Sequence, residues 1–262
     1  MRTNGLREAW AHDRAALGAW LTIPSGFSAE IMAHAGFDWV CADMQHGVID
    51  YQQMVGMLQA VSSTNVTPLV RVPWNEPGII GKTLDAGARG VIIPMVNTRA
   101  EAERAVWSCR YAPAGGRSYG PLRANYYAGF DYFEHANDDV LCIVMIETRD
   151  AVGRVDEILS VPGIDAVYIG PADLSITLGL PPAPDHDDAS FADAIATILA
   201  SCLAHGVVPG IAGNQKTAPK RVEQGFKLVE VASDARLLGV GAGDALRAVA
   251  PEGTATSKSA YL

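Results

Sequence analysis

Eight short apolar runs, each followed by a segment with helical periodicity, constrain the fold of this 262-residue chain more than any other feature. Within the runs, apolar residues do not alternate with polar ones, which is typical of strands that a parallel sheet buries on both faces. The runs occupy residues 17–24, 37–43, 67–73, 89–96, 141–147, 164–170, 207–213 and 226–232.

Eight strand–helix units predict an α/β fold, a single (β/α)8 or TIM barrel, because such units close into a barrel of about 250 residues. An open doubly wound sheet is the alternative topology. No linker of biased composition divides the chain, so we expect residues 1–262 to form one domain with a polar tail over about residues 252–262. We interpret residues 112–129 as a loop, residues 151–161 as one helix, and residues 171–188 as a connector rich in proline and aspartate.

The charge balance argues against a nucleic-acid partner, since the formal net charge is −9 and no lysine- or arginine-rich run occurs. No apolar stretch is long enough to predict a membrane-spanning helix, and the N-terminus lacks the apolar core of a signal peptide. The four cysteines, Cys41, Cys109, Cys142 and Cys202, form no Cys-x-x-Cys pair. We therefore expect a cytoplasmic protein with reduced thiols and no membrane partner.

Two carboxylates follow the fifth and sixth predicted strands, where Glu147 ends the fifth and Asp173 lies just beyond the sixth. Active sites of (β/α)8 barrels form at the C-terminal ends of the strands, so these two side chains should lie close together. A cation such as Mg²⁺ commonly binds through one or two carboxylates, water and substrate. The alternative is structural: Glu147 would pair with an arginine, and Asp173 would cap a helix.

Two basic side chains lie at neighbouring strand ends, Arg71 in the third apolar run and His46 just beyond the second. A buried arginine needs an anion beside it. Arg71 would therefore form a salt bridge with Glu147, stabilise a developing enolate oxygen, or do both. Asp43 precedes His46 by three residues, and a carboxylate there would orient the imidazole for proton transfer. The alternative for His46 is an ordinary loop residue.

Five segments carry a more specific pattern: DMQHG (43–47), VRVPWNEPGIIGKTLDAGARGVIIPMV (70–96), GRSYGPLRA (116–124), IETRDAV (146–152) and IDAVYIGPADLSITLG (164–179). In this order they resemble the HpcH/HpaI aldolase family of class II pyruvate aldolases, which is related to the citrate lyase β subunit. The resemblance covers about residues 15–245. It implies a (β/α)8 barrel in which Glu147 and Asp173 bind a divalent cation, first Mg²⁺ or Mn²⁺, with Co²⁺, Ni²⁺ or Zn²⁺ as alternatives.

The resemblance also implies roles for individual residues. Arg71 would bind the pyruvate moiety, and His46 would act as a general base through a water molecule, with Asp43 nearby. A substrate-binding turn would consist of Gly170, Pro171, Ala172 and Asp173. The backbone at the last two residues of this turn would hold the pyruvate carboxylate.

The resemblance extends to the assembly, because family members commonly form homohexamers, as trimers of dimers that exchange a C-terminal helix. Asp85 matches a position that reaches the active site of a neighbouring subunit, so we count it among the catalytic residues. Arg123, Tyr126 and Tyr127 would contact the aldehyde or lie at a subunit interface.

Two positions depart from the family pattern. Met145 stands where some members have a glutamine that contacts the metal shell, and Gln45 stands where a glutamate often precedes the histidine. Both changes remove polar or charged character near the metal. They leave the preferred ion and the substrate open, but not the reaction class.

The function that the resemblance implies is cleavage or formation of 4-hydroxy-2-keto acids, to or from pyruvate or hydroxypyruvate and an aldehyde, through a metal-stabilised enolate. A Schiff-base mechanism is disfavoured because no lysine lies in the middle or at the C-terminal end of an apolar strand, and Lys216, in the loop after the seventh run, is the only one that could reach the mouth of the barrel. The lysines are Lys82, Lys216, Lys220, Lys227 and Lys258. Two alternatives stay open: cleavage of an acyl-CoA, as in citrate lyase, and non-catalytic binding of a metabolite.

Overall fold

A closed barrel of eight parallel strands, hydrogen-bonded in chain order, forms the centre of the protein in a computed structural model that describes residues 3–249. This confirms the predicted (β/α)8 barrel and excludes the open sheet. The strands are β1 (Ala16–Leu21), β2 (Trp39–Asp43), β3 (Thr67–Arg71), β4 (Gly90–Ile93), β5 (Leu141–Ile146), β6 (Ala166–Ile169), β7 (Val208–Ile211) and β8 (Leu228–Ser233).

Helices surround the barrel and return the chain from the end of one strand to the start of the next. Those in the described part of the chain are α1 (Gly5–Ala11), α2 (Gly26–Ala33), α3 (Tyr51–Val61), α4 (Pro77–Asp85), α5 (Arg99–Cys109), α6 (Leu122–Ala128), α7 (Tyr132–Asp139), α8 (Arg149–Val152), α9 (Val155–Leu159), α10 (Pro171–Thr177), α11 (Ala189–His205), α12 (Ala218–Glu223) and α13 (Asp234–Arg247).

Two apolar clusters explain why the strands show no alternation. Successive side chains of a strand point to opposite faces. On the inner face they fill the barrel, where Trp39 and Tyr168 are fully buried. On the outer face they pack against the ring of helices. Both faces are therefore apolar, and a polar side chain that points inward has to find a partner inside the barrel.

Helix α1, which the sequence pattern did not predict, closes the end of the barrel where the strands begin. Asn4 caps the helix by accepting the Leu6 N–H at 3.2 Å, and its amide donates to the carbonyls of Arg89 and Asp139 at 3.1 and 3.0 Å. Leu6 is fully buried and belongs to the cluster that fills the barrel. Helix α1 thus covers the N-terminal ends of the strands, and the C-terminal ends are where barrels of this kind form their active sites.

Three segments differ from the sequence-based predictions. The predicted loop at 112–129 contains α6, whose Ala124 and Ala128 are buried one helical turn apart. The predicted connector at 171–188 begins with α10, which has Pro171 in its first turn, where the absent N–H costs nothing. The single helix predicted at 151–161 is two short helices, α8 and α9. Each of these elements is too short for periodicity to identify.

In residues 3–249, no helix has the length and apolar character needed to cross a membrane. The predicted polar tail at 252–262 lies outside the described residues. The cytoplasmic location stays a prediction from the sequence.

Candidate active site

The polar side chains predicted for the site lie at the C-terminal ends of the strands. They follow the side chains of the same strands that point into the barrel. Two residues after buried Cys41, Leu69 and Met145 come Asp43, Arg71 and Glu147, respectively. Residues two apart on a strand share a face, so these three side chains point into the open end of the barrel. Asp43 and Arg71 are also direct neighbours in the register of β2 and β3.

Arg71 and Asp43 form a two-point ion pair, with Nε donating to Oδ1 at 2.8 Å and Nη2 donating to Oδ2 at 2.6 Å. The guanidinium also stacks on the ring of Trp20, 4.5 Å from its centroid. Burial opposes the charge, but the hydrogen bonds and charge of Asp43 outweigh burial and raise the pKa of Arg71. The salt bridge that the sequence suggested between Arg71 and Glu147 is therefore wrong. The carboxylate that pairs with Arg71 is that of Asp43.

His46 is exposed in the turn after β2. Asp43 Oδ1 accepts the backbone N–H groups of Gln45 and His46, at 3.0 and 3.3 Å. The carboxylate thus fixes the turn that carries the imidazole, whereas the sequence had suggested a contact with the ring itself. Asp43 positions both Arg71 and the backbone of His46.

Glu147 is a buried carboxylate, 2% exposed, at the end of β5. Its Oε1 accepts the Met95 N–H at 2.7 Å. Met95 has a φ of +57°, a left-handed conformation that a non-glycine residue rarely adopts. Burial raises the pKa of Glu147 to about 7, the Met95 N–H lowers it, and the negative charge of Asp173 raises it further.

Gly170 leaves space beside the second oxygen of Glu147, because a side chain at this position would collide with Glu147 Oε2. It is also the N-cap of α10, which has no side-chain cap, so N–H groups in the first turn, at Ala172 and Asp173, lack side-chain partners. Asp173 and Ala172 are exposed in this turn. Asp173 does not cap α10, which was the structural alternative that the sequence left open for it.

This arrangement fits a divalent cation between Glu147 and Asp173. Desolvation and the repulsion between the two carboxylates both disfavour an ionised Glu147, and a cation would reverse both effects. Residues 3–249 contain no cluster of three or more His, Cys, Asp or Glu side chains suited to a metal. A cation here would therefore complete its shell with substrate and water, as hard cations commonly do.

Glu230 on β8 is a buried carboxyl that the sequence analysis missed. Its Oε2 accepts the Gly213 N–H at 3.1 Å, and it is hydrogen-bonded to the Tyr168 hydroxyl, which in turn accepts the Trp20 indole N–H at 2.9 Å. Burial raises the pKa of Glu230 to about 8, against the effects of the Gly213 N–H and the charge of Arg236. Its charged side chain within the apolar run FKLVEVA was the available signal.

A cavity of about 510 Å³ opens between the ends of β6, β7 and β8. Pro171 and Ala172 line one side, Ala212 and Gly213 lie at the end of β7, and the ionisable groups are Glu230 and Arg236. The cavity thus adjoins the turn predicted to bind substrate. A larger cavity, of about 650 Å³, lies at the opposite end, beside α1 and the segments that precede β2 and β3.

The structure does not bring Asp85 to this end of the barrel. Asp85 is the last residue of α4, and a helix that follows a parallel strand ends near the start of the next strand. Its Oδ1 accepts Arg117 Nη2 at 2.7 Å, and Arg117 Nη1 donates to the Tyr132 hydroxyl at 3.0 Å. Asp85 could reach an active site only in another copy of the chain.

Arg123 also lies away from the open end. Its Nη1 donates to the Ala86 carbonyl at 2.6 Å and its Nη2 to the Leu58 carbonyl at 3.0 Å, so it binds the C-terminal ends of α4 and α3. These contacts place Arg123 at the end of the barrel where Asp85 lies, away from Glu147. Tyr126 is 82% exposed, which favours the interface interpretation of this segment. Lys216 is exposed in the loop after β7.

Met145, one of the two departures from the family pattern, is buried beside Glu147. Its terminal methyl lies against Gly170, close to the space that Glu147 Oε2 faces. The side chain therefore presents an apolar surface where a glutamine would present an amide.

Comparison with known proteins agrees with this geometry. The family model described as HpcH/HpaI aldolase/citrate lyase matches residues 17–239. The chain is 42% identical to a hydroxypyruvate/pyruvate aldolase of Rhizorhabdus wittichii over 240 residues, 91% of this chain and 96% of the relative. It is 40% identical to a 4-hydroxy-2-oxo-heptane-1,7-dioate aldolase of Salmonella dublin over 243 residues, 91% of this chain and 92% of the relative.

A solved HpcH/HpaI aldolase/citrate lyase family protein from Burkholderia cenocepacia superposes with a TM-score of 0.88. It is 34% identical, and the match covers 95% of this chain and 100% of that chain. The family match, the aldolase relatives and the barrel thus agree, and they favour an aldolase over both alternatives that the sequence left open. This chain belongs to the HpcH/HpaI aldolase/citrate lyase family.

Proposed function

We propose that this protein is a divalent-metal-dependent aldolase that cleaves or forms a 4-hydroxy-2-keto acid, with pyruvate or hydroxypyruvate and an aldehyde as the other reactants. The observation that carries the proposal is the buried Glu147 carboxylate, which faces the open space at Gly170 and is repelled by the charge of Asp173. Mg²⁺ or Mn²⁺ suits such an oxygen-only pair, with Co²⁺, Ni²⁺ and Zn²⁺ as alternatives. When bound, the cation would polarise the keto group as a Lewis acid.

The chain's own residues bind and orient the keto acid. The N–H groups of Ala172 and Asp173, at the start of α10, are placed to hold its carboxylate. Arg71 uses Nε and Nη2 for Asp43, which leaves Nη1 to donate to the keto oxygen. As that oxygen gains negative charge in the enolate, the hydrogen bond strengthens, which lowers the barrier rather than merely improving binding.

His46 moves the proton. In the cleavage direction, its imidazole takes the proton of the C4 hydroxyl, directly or through one water. The C3–C4 bond then breaks, the aldehyde leaves, and the electron pair stays on the keto acid as an enolate. Return of a proton to C3 gives pyruvate. Asp43 contributes by fixing the His46 backbone and the Arg71 guanidinium.

We further propose a homo-oligomer, with the trimer of dimers implied by the family as the specific form. The described part of α13 supports this, because its apolar side chains Leu238 and Leu246 are 67% and 64% exposed. Exposed apolar rows of this kind usually mark an interface. In an assembly, Asp85 could reach the active site of a neighbouring subunit, since the active site of its own subunit lies at the other end of the barrel.

The test is a cleavage assay in which lactate dehydrogenase consumes the pyruvate formed from a 4-hydroxy-2-keto acid. His46→Ala should lower kcat by about 10²–10⁴-fold, the usual contribution of a general base, while KM changes little. His205→Ala, on α11 away from the strand ends, is the matched control and should keep full activity. Equal rates for wild type and His46→Ala would contradict the assignment.

A further inference from the structure

A row of buried side chains crosses the inside of the barrel from Glu230 to Arg71. Glu230 follows Leu228 by two residues on β8 and therefore points inward, as Leu228 does. It is hydrogen-bonded to the Tyr168 hydroxyl, and this hydroxyl accepts the Trp20 indole N–H at 2.9 Å. The Trp20 ring in turn lies against the guanidinium of Arg71, whose central carbon is 4.5 Å from the ring centroid. Three contacts thus connect a carboxyl on β8 with the arginine on β3.

We propose that Glu230 is a positioning residue for the aldol reaction, which acts through Tyr168 and Trp20 to keep the Arg71 guanidinium in the orientation that the enolate oxygen needs. The inference rests on the proposed aldolase function. It goes beyond that function by assigning a role in the reaction to a residue outside the proposed cation and keto-acid positions.

Two contacts hold the guanidinium of Arg71, and they constrain different motions. Asp43 accepts hydrogen bonds from Nε and Nη2 at 2.8 and 2.6 Å, which fixes the guanidinium within its own plane. The Trp20 ring lies over its face, and such a cation–π contact is strongest where water is largely excluded, as it is around this arginine. Without the ring, the guanidinium could tilt about its bonds to Asp43. A tilt would turn Nη1 away from the enolate oxygen, and a hydrogen bond weakens steeply when it is no longer linear.

The orientation of the Trp20 ring depends on Tyr168. The indole N–H is the one polar group of the Trp20 side chain, and the Tyr168 hydroxyl is its partner. The two rings also meet edge to face, with their centroids 5.6 Å apart. Burial raises the pKa of Tyr168, so its hydroxyl keeps its proton and can donate it to Glu230 while its oxygen accepts from Trp20. The position of Glu230 therefore helps to determine that of the ring that covers Arg71.

Glu230 itself is anchored to the backbone. Its Oε2 accepts the Gly213 N–H at 3.1 Å, in the segment that follows β7. The carboxyl is buried at a cost, since desolvation raises its pKa to about 8, and the Gly213 N–H and the charges of Arg236 and Arg71 offset this only in part. An apolar side chain would fill the same space without this cost. The contact with Tyr168 therefore explains the carboxyl better than packing does.

The test measures kcat and KM for cleavage of a 4-hydroxy-2-keto acid, with Mg²⁺ or Mn²⁺ at pH 7, in the lactate dehydrogenase assay. Glu230→Met keeps the length of the side chain but cannot bind Tyr168, and it should lower kcat about tenfold. KM should change less than about twofold, because the hydrogen bond from Arg71 strengthens in the enolate. Glu230→Gln can donate its amide N–H to the Tyr168 oxygen and should keep kcat within about threefold of wild type. Tyr168→Phe removes the same link from the other side and should match Glu230→Met.

A double-mutant cycle separates this role from a merely structural one. If Glu230 acts through Tyr168, Glu230→Met should add less than about twofold to the effect of Tyr168→Phe. If both act through Arg71, Glu230→Met should change kcat less than about twofold in an Arg71→Lys background. Asp139→Asn is the matched control, because Asp139 is a buried carboxyl paired with Arg89 at 2.6 Å, at the opposite end of the barrel. It should lower Tm and leave kcat unchanged.

Wild-type kcat in both Glu230→Met and Tyr168→Phe would overturn the proposal, and so would a rise in KM without a fall in kcat. Effects of Glu230→Met and Arg71→Lys that multiply would overturn it as well. If Glu230→Met does not fold, Glu230→Ala takes its place, because the side chain that it removes lines a cavity. Wild-type protein that forms no pyruvate would contradict the aldolase function, and this inference with it. Active wild type with any of the overturning results would contradict this inference alone.

Discussion

Replacing Glu230 by glutamine should remove a large part of the pH dependence of stability. Burial raises the pKa of Glu230 from 4.5 to about 8. Between these values the folded protein binds more protons than the unfolded chain, so the free energy of unfolding falls as the pH rises. Glu230 thus contributes its full stability below about pH 4.5 and loses it as the pH rises to about 8.

The size of the effect follows from the two pKa values. Each pKa unit corresponds to about 1.4 kcal/mol, so the difference between 4.5 and about 8 sets an upper limit of roughly 5 kcal/mol. Most of this, on the order of 3–4 kcal/mol, falls between pH 5 and pH 8. For a chain of this length, 1 kcal/mol shifts Tm by about 2–4 °C. Wild type should therefore lose roughly 10 °C in Tm relative to Glu230→Gln across that interval.

Thermal unfolding from pH 5 to pH 8, in EDTA, measures this difference. Glu147 also titrates in this range, but it does so in both proteins and cancels in the comparison. Glu223→Gln, on the exposed side of α12, removes a surface carboxylate and should follow wild type at every pH. If the Tm difference between wild type and Glu230→Gln stayed constant within about 2 °C from pH 5 to pH 8, the reasoning would be refuted.

Three further predictions concern the metal and the keto-acid site. Gly170→Ala should weaken Mn²⁺ binding in a titration at least tenfold, because the new methyl group would meet Glu147 Oε2. Gly153→Ala, where a Cβ meets nothing closer than 3.6 Å, should bind normally, and equal affinities would contradict the assigned role. Cation binding displaces a proton from Glu147, whose pKa is about 7. The apparent affinity for Mn²⁺ should therefore rise about tenfold per pH unit up to pH 7 and then level off. An affinity that does not change with pH would argue against Glu147 as a ligand. Arg71→Lys, which cannot hold Asp43 at two points, should lower kcat/KM about 10²-fold in the lactate dehydrogenase assay; unchanged kinetics would exclude the enolate role.

The barrel could be predicted because strands that are buried on both faces consist of continuous apolar runs, which are visible in the sequence. Each predicted run overlaps an observed strand, and a strand extends one residue beyond its run only at the start of β1 and at the end of β8. The missed helices, α1, α6 and α10, have 7 residues each, which is too short for a 3.6-residue period to emerge from their surroundings. What stabilises α1 is a set of long-range contacts, such as those of the Asn4 amide, which no local pattern records.

The site was predictable only in part. Charged residues inside apolar runs identified Glu147 and Arg71, and the same argument applied to the eighth run would have found Glu230. The partner of Arg71 depends on the register of β2 against β3, which the sequence does not reveal. Met95 could not be foreseen, because its role rests on a backbone N–H in a left-handed conformation.

The most direct test of the metal-dependent aldolase is the rate of pyruvate formation from a 4-hydroxy-2-keto acid by protein stripped with EDTA, before and after Mg²⁺ or Mn²⁺ is restored. Wild type should be inactive when stripped and recover with the cation. Glu147→Gln should stay at least about 10²-fold slower at the same cation concentration, because one of its two carboxylate ligands is gone. Full activity of the stripped wild-type protein, or recovery of Glu147→Gln to the wild-type rate, would contradict the account.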